Sequence, residues 1–262
     1  KTERQLAIFM VLAAALLSTF LTNDVALFIV VPLTITLKKL CAIPVNRLII
    51  FEALAVNAGS LLTPIGNPQN ILMWGRSGLS FTAFTWQMAP LAGAMMLTLV
   101  VLCWFSFPNK ALHYHTGTRA PDWLPRLVWG CLVLYIIFLA ALELKQELWG
   151  LAIVAAGFMV LARRVILSVD WTLLLVVMAM FIDVHLLTQL PALQGITHQI
   201  GALSAPGLWL TAIGLSQFIS NVPSTVLLLN YVPPTLLLAW AVNVGGFGLL
   251  PRIAGESHCV TD

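Results

Sequence analysis

The chain has 262 residues, 60% hydrophobic and 9% charged, with a formal net charge of +3 and a mean hydropathy of +0.96. An ordinary soluble domain is about 45–50% apolar and about 25% charged, so this composition cannot coat a soluble particle with polar surface. A cytosolic enzyme, a disulfide scaffold, a nucleic-acid binder and a disordered chain are excluded, and at about 20 apolar residues per crossing roughly seven to ten membrane-embedded segments fit.

Apolar runs predict helices at 5–21, 25–37, 48–62, 86–107, 127–142, 148–162, 171–188, 207–219, 224–232 and 235–251. No small-residue cleavage site follows the first run, which is read as a membrane helix rather than a signal peptide. Runs 25–37 and 224–232 are too short for a hydrocarbon core about 30 Å thick. Joined to their neighbours, they read as two re-entrant helical hairpins with tips at 22–24 and 220–223, although two spans joined by a tight turn fit the same runs. A non-helical tip at that depth persists only where protein or a water-filled cavity surrounds it. The stretches 48–75 and 235–251 carry Gly and Pro and read as broken transmembrane helices. Cys41, Cys103, Cys131 and Cys259 show neither a CxxC pair nor metal-ligand spacing, so no cofactor is expected.

The two halves resemble each other. "STFLTNDVALFIVVP" at 18–32 aligns with "SQFISNVPSTVLLLN" at 216–230, placing Ser18 over Ser216 and Asn23 over Asn221. "ALAVNAGSLLTP" at 53–64 aligns with "AWAVNVGGFGLLP" at 239–251, placing Asn57 over Asn243. Two ordered matches around intramembrane Asn residues are the pattern of a transporter built from repeats. Residues 1–107 form the first repeat, 108–126 a loop, 127–251 scaffold helices with the second repeat, and 252–262 a polar tail outside the pattern. Too little chain precedes Asn23 and follows Asn243 for both halves to match in full, which predicts truncation at both ends.

Charge placement predicts the orientation. With the first hairpin opening to the cytoplasm, eleven Lys and Arg residues fall inside and two, Arg76 and Lys145, outside. Loops 38–47, 108–126 and 163–164 are then cytoplasmic, and the two hairpins enter from opposite faces, which makes the repeat inverted.

The runs "LTNDVALFIVVPLT" at 21–34, "EALAVNAGSLLTPIGNPQNIL" at 52–72 and "ISNVPSTVLLL" at 219–229 resemble the ion transporter superfamily. That group includes arsenite permeases, NhaD-type sodium/proton antiporters, and citrate and dicarboxylate symporters. The resemblance covers roughly 1–251 and implies a multi-pass bacterial inner-membrane protein. It further implies that hairpin tips and broken helices cradle substrate and coupling ions, that a transport domain moves against a scaffold, and that the protein forms a homodimer. The second broken helix departs from the pattern, because no Asn-containing run follows Gly245 to Pro251.

The expected site takes Thr22, Asn23, Asp24, Asn57, Gly59, Thr63, Pro64, Gly66, Asn67 and Asn70 from the first half, and Ser220, Asn221, Asn243 and Gly245 from the second. Intramembrane Asn and Asp are costly without partners and are functional candidates by default. Amide and hydroxyl oxygens suit sodium, placed here at Asn23, Asn57, Asn221 and Asn243, while half-helix N-termini suit an oxyanion. Asn and Ser also join helices to one another. Asp24, matched by Val222, would exchange a proton or hold a cation, or cap the following helix. The expected activity is secondary transport of a small anion or oxyanion, citrate-like or arsenite-like, coupled to sodium or protons. The alternatives are a sodium/proton antiporter using Asp24 and an inactive truncated chain. Asp183 and His185 read as a proton path or a solvated helix end, and Glu52 as the ion-pair partner of Arg47. His113 and His115 read as solvated loop residues. Ser216, Ser220 and Ser224 have no His at a catalytic spacing, so an enzyme is not expected.

Overall fold

The computed structural model describes residues 2–112, 125–161 and 200–247, with isolated positions between 163 and 186. Among the described residues every regular element is a helix. The helices are α1 (Glu3–Phe20), α2 (Asn23–Leu40), α3 (Val45–Ser60), α4 (Pro68–Ser77), α5 (Phe81–Ser106), α6 (Pro125–Glu143) and α7 (Glu147–Leu161). After the partly described stretch come α8 (Ala205–Ile219), α9 (Asn221–Leu229) and α10 (Leu236–Gly245).

Local sequence sets these boundaries. Thr2 and Gln5 form a reciprocal capping box at the start of α1. Asn67 caps α4, Pro68 occupies its first turn, and Gly78 ends it in the left-handed region at φ 70°. Ser80 and Thr235 cap α5 and α10 through backbone N–H groups three residues on. The first hairpin turns at Leu21 and Thr22, so Asn23 and Asp24 already belong to α2; the second turns at Ser220 alone, so Asn221 and Pro223 belong to α9.

α5 orders the other helices. At its C-terminal end Arg47 donates to Ser106 O at 2.8 Å and Arg4 to Phe107 O at 2.9 Å, so α1 and α3 both start there. The far ends of α1 and α3 meet where Thr63 Oγ1 donates to Thr19 O at 2.8 Å. Between these ends α2 returns antiparallel, with Thr34 against Glu52. At the N-terminal end of α5, Pro234, Thr235 and Leu236 line a cleft with Phe84 and Met88. There Arg76 of α4 donates to Leu229 O at 2.7 Å, at the end of α9. The start of α9 lies against Gly246 at the end of α10. The two helix triads, α1–α3 and α8–α10, therefore enter from opposite ends of α5 and point toward each other.

Each triad closes its own core. Ala7, Val11, Ala14, Val30, Ala55 and Val56 pack with Leu99, Cys103 and Phe107 from the C-terminal part of α5 and the residue after it. Phe84, Met88 and Ala92 from its N-terminal half pack with Met73, Ala212, Leu228, Leu238 and Val242. Outside these cores large apolar side chains face outward, including Phe9, Phe28, Trp86, Phe105 and Leu148. A soluble surface rarely tolerates so much exposed apolar area, whereas lipid does. Among the described residues α1 and α5 are long and apolar enough to cross a membrane. The α6–α7 pair joins the second core's end of the molecule through Thr82, whose N and Oγ1 donate to Glu143 at 3.1 and 2.8 Å.

Matching glycines set close helix contacts in both halves. A Cβ on Gly59 would lie 2.1 Å from Ala15 O, and one on Gly245 would lie 2.5 Å from Ser216 Cβ and 3.2 Å from Ile213 O. Thr19 Oγ1 donates to Gly59 O at 3.3 Å, and Gln217 Nε2 donates to Gly245 O. In the sequence alignment Ala15 corresponds to Ile213, Thr19 to Gln217 and Gly59 to Gly245.

Candidate functional site

The break between α3 and α4 is built from its own polar groups. Asn67 Oδ1 accepts from Asn70 N at 2.8 Å, and Asn70 Nδ2 donates to Leu61 O and Thr63 O at 2.8 and 2.9 Å. Gly66 N donates to Thr63 O at 3.3 Å. Only glycine fits at position 66, where a Cβ would lie 2.0 Å from Ser60 O. Pro64 is buried in the same turn.

A continuous path leads from one hairpin to the other. Asn23 N donates to Gly66 O at 2.9 Å, tying the first hairpin tip to the break. The next residue, Asn67, donates Nδ2 to Asn243 Oδ1 at 3.0 Å, and Asn243 returns Nδ2 to Asn70 Oδ1 at 2.8 Å. Gln69 Nε2 also reaches Asn243 Oδ1, at 3.5 Å. Asn243 O accepts from Gly246 N at 3.0 Å, and a Cβ on Gly246 would lie 2.4 Å from Asn221 Nδ2. Asn67, Asn70 and Asn243 are 1%, 0% and 4% exposed, so this amide cluster is closed to solvent. Buried amides need partners, and these have them.

The remaining expected residues divide by availability. Asn23 Oδ1 accepts from Asp24 N at 3.0 Å, so it is engaged locally. Asp24 lies in the first turn of α2, exposed, and its carboxylate bonds none of the described residues. It is not the cap: that position is Thr22, which makes no side-chain bond. Ser220, at φ 77°, likewise gives α9 no side-chain cap. The two return helices therefore differ at their starts: in α2 the N–H groups of Asn23 and Asp24 are taken by Gly66 O and Asn23 Oδ1, whereas α9 begins without a side-chain cap, the form of helix end that accepts anions. Asn57 is half-buried, and its side-chain amide bonds none of the described residues. Gly59 and Gly245 serve as contact points between helices, and Thr63 fastens the break to α1.

Among the four sodium positions, Asn243 and Asn23 have their amide oxygens engaged. Asn221 Oδ1 is a buried acceptor without a partner, and Ser216 Oγ beside Gly245 is another. These are hard oxygen donors of the type a small cation takes. Among the described residues no group of three His, Cys, Asp or Glu side chains could hold a metal ion.

Sequence reasoning missed Gln69, Ser60 and the Thr19/Gln217 pair. The aligned repeat carried the last signal, since both matched positions hold a side chain able to donate. It also misplaced Glu52: Arg47 binds the end of α5, and both Glu52 oxygens lie beside Thr34 Oγ1 at 2.6 and 2.8 Å. A spacing of five turns two residues onto different helix faces, whereas three or four aligns them. Asp183 occupies an exposed helical position; His185, His113, His115 and Cys259 lie outside the described residues.

The profile of the citrate transporter family matches residues 1–245. The chain is 83% identical over 250 residues to the inner membrane protein YbiR of Escherichia coli, spanning 95% of this chain and 67% of that protein. It is 30% identical over 264 residues to an uncharacterized transporter of Methanocaldococcus jannaschii, spanning 100% of this chain and 71% of that one. It is also 33% identical over 93 residues to a silicon efflux transporter of Oryza sativa subsp. japonica, spanning 35% of this chain and 19% of that protein. With its all-helical fold and outward apolar faces, the chain belongs to the citrate transporter family, as a multi-pass inner-membrane transporter and not an enzyme.

Proposed function

We propose that the chain carries a small anion or oxyanion by alternating access, coupled to sodium or protons, with the two hairpin tips and the two helix ends around Asn67 and Asn243 as the site. The carrying observation is the path Asn23–Gly66–Asn67–Asn243–Gly246–Asn221, which joins two helix triads entering from opposite ends of α5. That arrangement supports an inverted repeat, the architecture in which one half rocks against the other around a fixed midplane site. The uncapped start of α9 offers N–H groups to an anion, and Asn221 Oδ1 with Ser216 Oγ offers oxygens to a cation. The family description supports a carboxylate such as citrate, while the rice relative is named for silicon efflux. The test is a solute panel in proteoliposomes under imposed sodium and proton gradients: gradient-driven uptake of an anion supports the reading, and uptake of none overturns it.

A second reading, sodium/proton antiport through Asp24, is favoured by one observation: this carboxylate is exposed at the hairpin tip and bonds none of the described residues. Replacing Asp24 with Asn and following sodium- and pH-driven flux decides it, since unchanged coupling rules antiport out. A homodimer belongs to the same proposal and is tested by the mass of the detergent-solubilised protein in light scattering.

A further inference from the structure

Glu52 is 0% exposed and sits on the face of α3 that carries Leu48, Ala55 and Val56, turned into the first core. Among the described residues its carboxyl group has one hydrogen-bond partner. Thr34 Oγ1 lies 2.6 Å from Oε1 and 2.8 Å from Oε2. A hydroxyl carries one hydrogen, so beside an ionised carboxylate these two short contacts would have to share it in a single bifurcated bond. Both contacts become hydrogen bonds if the carboxyl itself carries a proton: the acid O–H donates to Thr34 Oγ1, and the threonine hydroxyl donates to the other carboxyl oxygen.

The surrounding charges do not alter this. On α2, Asp24 lies ten residues before Thr34, about 15 Å along the helix, and Lys38 is exposed one turn beyond it. On α1, Arg4 is bonded to Phe107 O, stacked on Trp104, and Glu3 stands beside it at the helix start. On α3, Arg47 is bonded to Ser106 O. α5 has no charged residue, and its titratable group is the Cys103 thiol in the same core. Among the described residues Glu52 forms no ion pair.

The other triad shows what packing alone needs here. In the alignment Glu52 corresponds to Leu238 of α10, a fully buried apolar residue; α9 ends at Leu229 and has no helical position to match Thr34. An apolar side chain fills the matching place on α10, so a carboxyl is not required to close a core there. A buried ionisable group inside a membrane segment is expensive and points to function.

We propose that Glu52, paired with Thr34, is a proton-binding site between the first hairpin and the first broken helix, and that it exchanges its proton when α2 parts from α3. Release is a bare proton transfer: the O–H bond breaks, its electron pair stays on the carboxylate, and the proton passes to water admitted between the helices. The role in coupling rests on the transport reading above, whereas the proton site itself does not.

The test is infrared spectroscopy of the full chain in lipid vesicles through a pH titration. Wild type is expected to show a carboxylic-acid C=O band at neutral pH that is lost in Glu52→Gln, and that shifts to higher frequency in Thr34→Val. The double variant Glu52→Leu/Thr34→Val replaces the pair by apolar side chains, with leucine as at the aligned position 238; it is expected to stay folded by circular dichroism and to lack the band. Identical spectra for wild type and Glu52→Gln across the titration would overturn the proposal. In proteoliposomes, Glu52→Gln is expected to keep solute exchange and lose at least tenfold of the accumulation driven by a pH gradient. Retention of both would overturn the coupling role. Wild-type vesicles that move no solute would defeat the transport reading instead, with the infrared result still deciding the proton site.

Discussion

Asn67 donates its side-chain amide to Asn243 Oδ1 at 3.0 Å across 176 residues of sequence, joining the break after α3 to the end of α10. Removing Asn243 strands Asn70 Oδ1 in a closed interior and leaves Asn67 Nδ2 with only the longer contacts to Ser60, at 3.4 and 3.5 Å. Asn243→Val is therefore expected to cost about 1–3 kcal/mol, read as a lower midpoint of thermal unfolding in detergent. Asn57→Val, at the aligned but half-buried position, should cost less than half as much.

The Gly59 contact is made with backbone, which cannot swing aside. Gly59→Ala would set its Cβ 2.1 Å from Ala15 O, pushing α3 off α1. A loss of about 1–3 kcal/mol is expected, the usual range for overpacking. Gly93 and Gly214 have nothing within 4 Å of an added Cβ. Alanine at either is expected to leave stability unchanged or raise it by up to about 1 kcal/mol. Thermal unfolding of the three variants side by side checks the contrast.

Ser220 holds φ 77° and ψ 158°, a conformation that favours glycine. Ser220→Gly is expected to raise stability by about 1 kcal/mol through relief of backbone strain, and Ser220→Val to lower it. Chemical denaturation in mild detergent distinguishes the two directions.

Asn221 separates stability from activity. Its Oδ1 is buried without a partner, so Asn221→Leu removes an unsatisfied acceptor and should leave the unfolding midpoint unchanged or raised. Flux through the same variant is expected to fall at least tenfold if that oxygen meets a transported ion. A variant with wild-type flux would remove Asn221 from the site.

Much of this arrangement was legible in the sequence because costly residues advertise themselves in an apolar chain. Asn67, Asn70 and Asn243 stood out on that ground, and the two aligned stretches brought Gly59 and Gly245 into register before any contact was known. Their pairing was less legible: Asn67 and Asn57 are equally polar, yet only Asn67 faces Asn243, because the break turns it there. The conformation of Ser220 was hidden, since serine has no preference for positive φ. Glu52 was misread because Arg47 lay near it in sequence, while its true neighbour, Thr34, became visible only once α2 folded back along α3.

The bonds within residues 60–70 span at most nine positions, whereas the Asn67–Asn243 bond spans 176. Short-range contacts form early and at little entropic cost, and a chain made from its N-terminus completes them first. The loop around Gly66 is thus a finished socket long before α10 leaves the ribosome. Insertion of Asn243 becomes a late step of biogenesis, a checkpoint that registers whether the second triad has arrived in the right orientation.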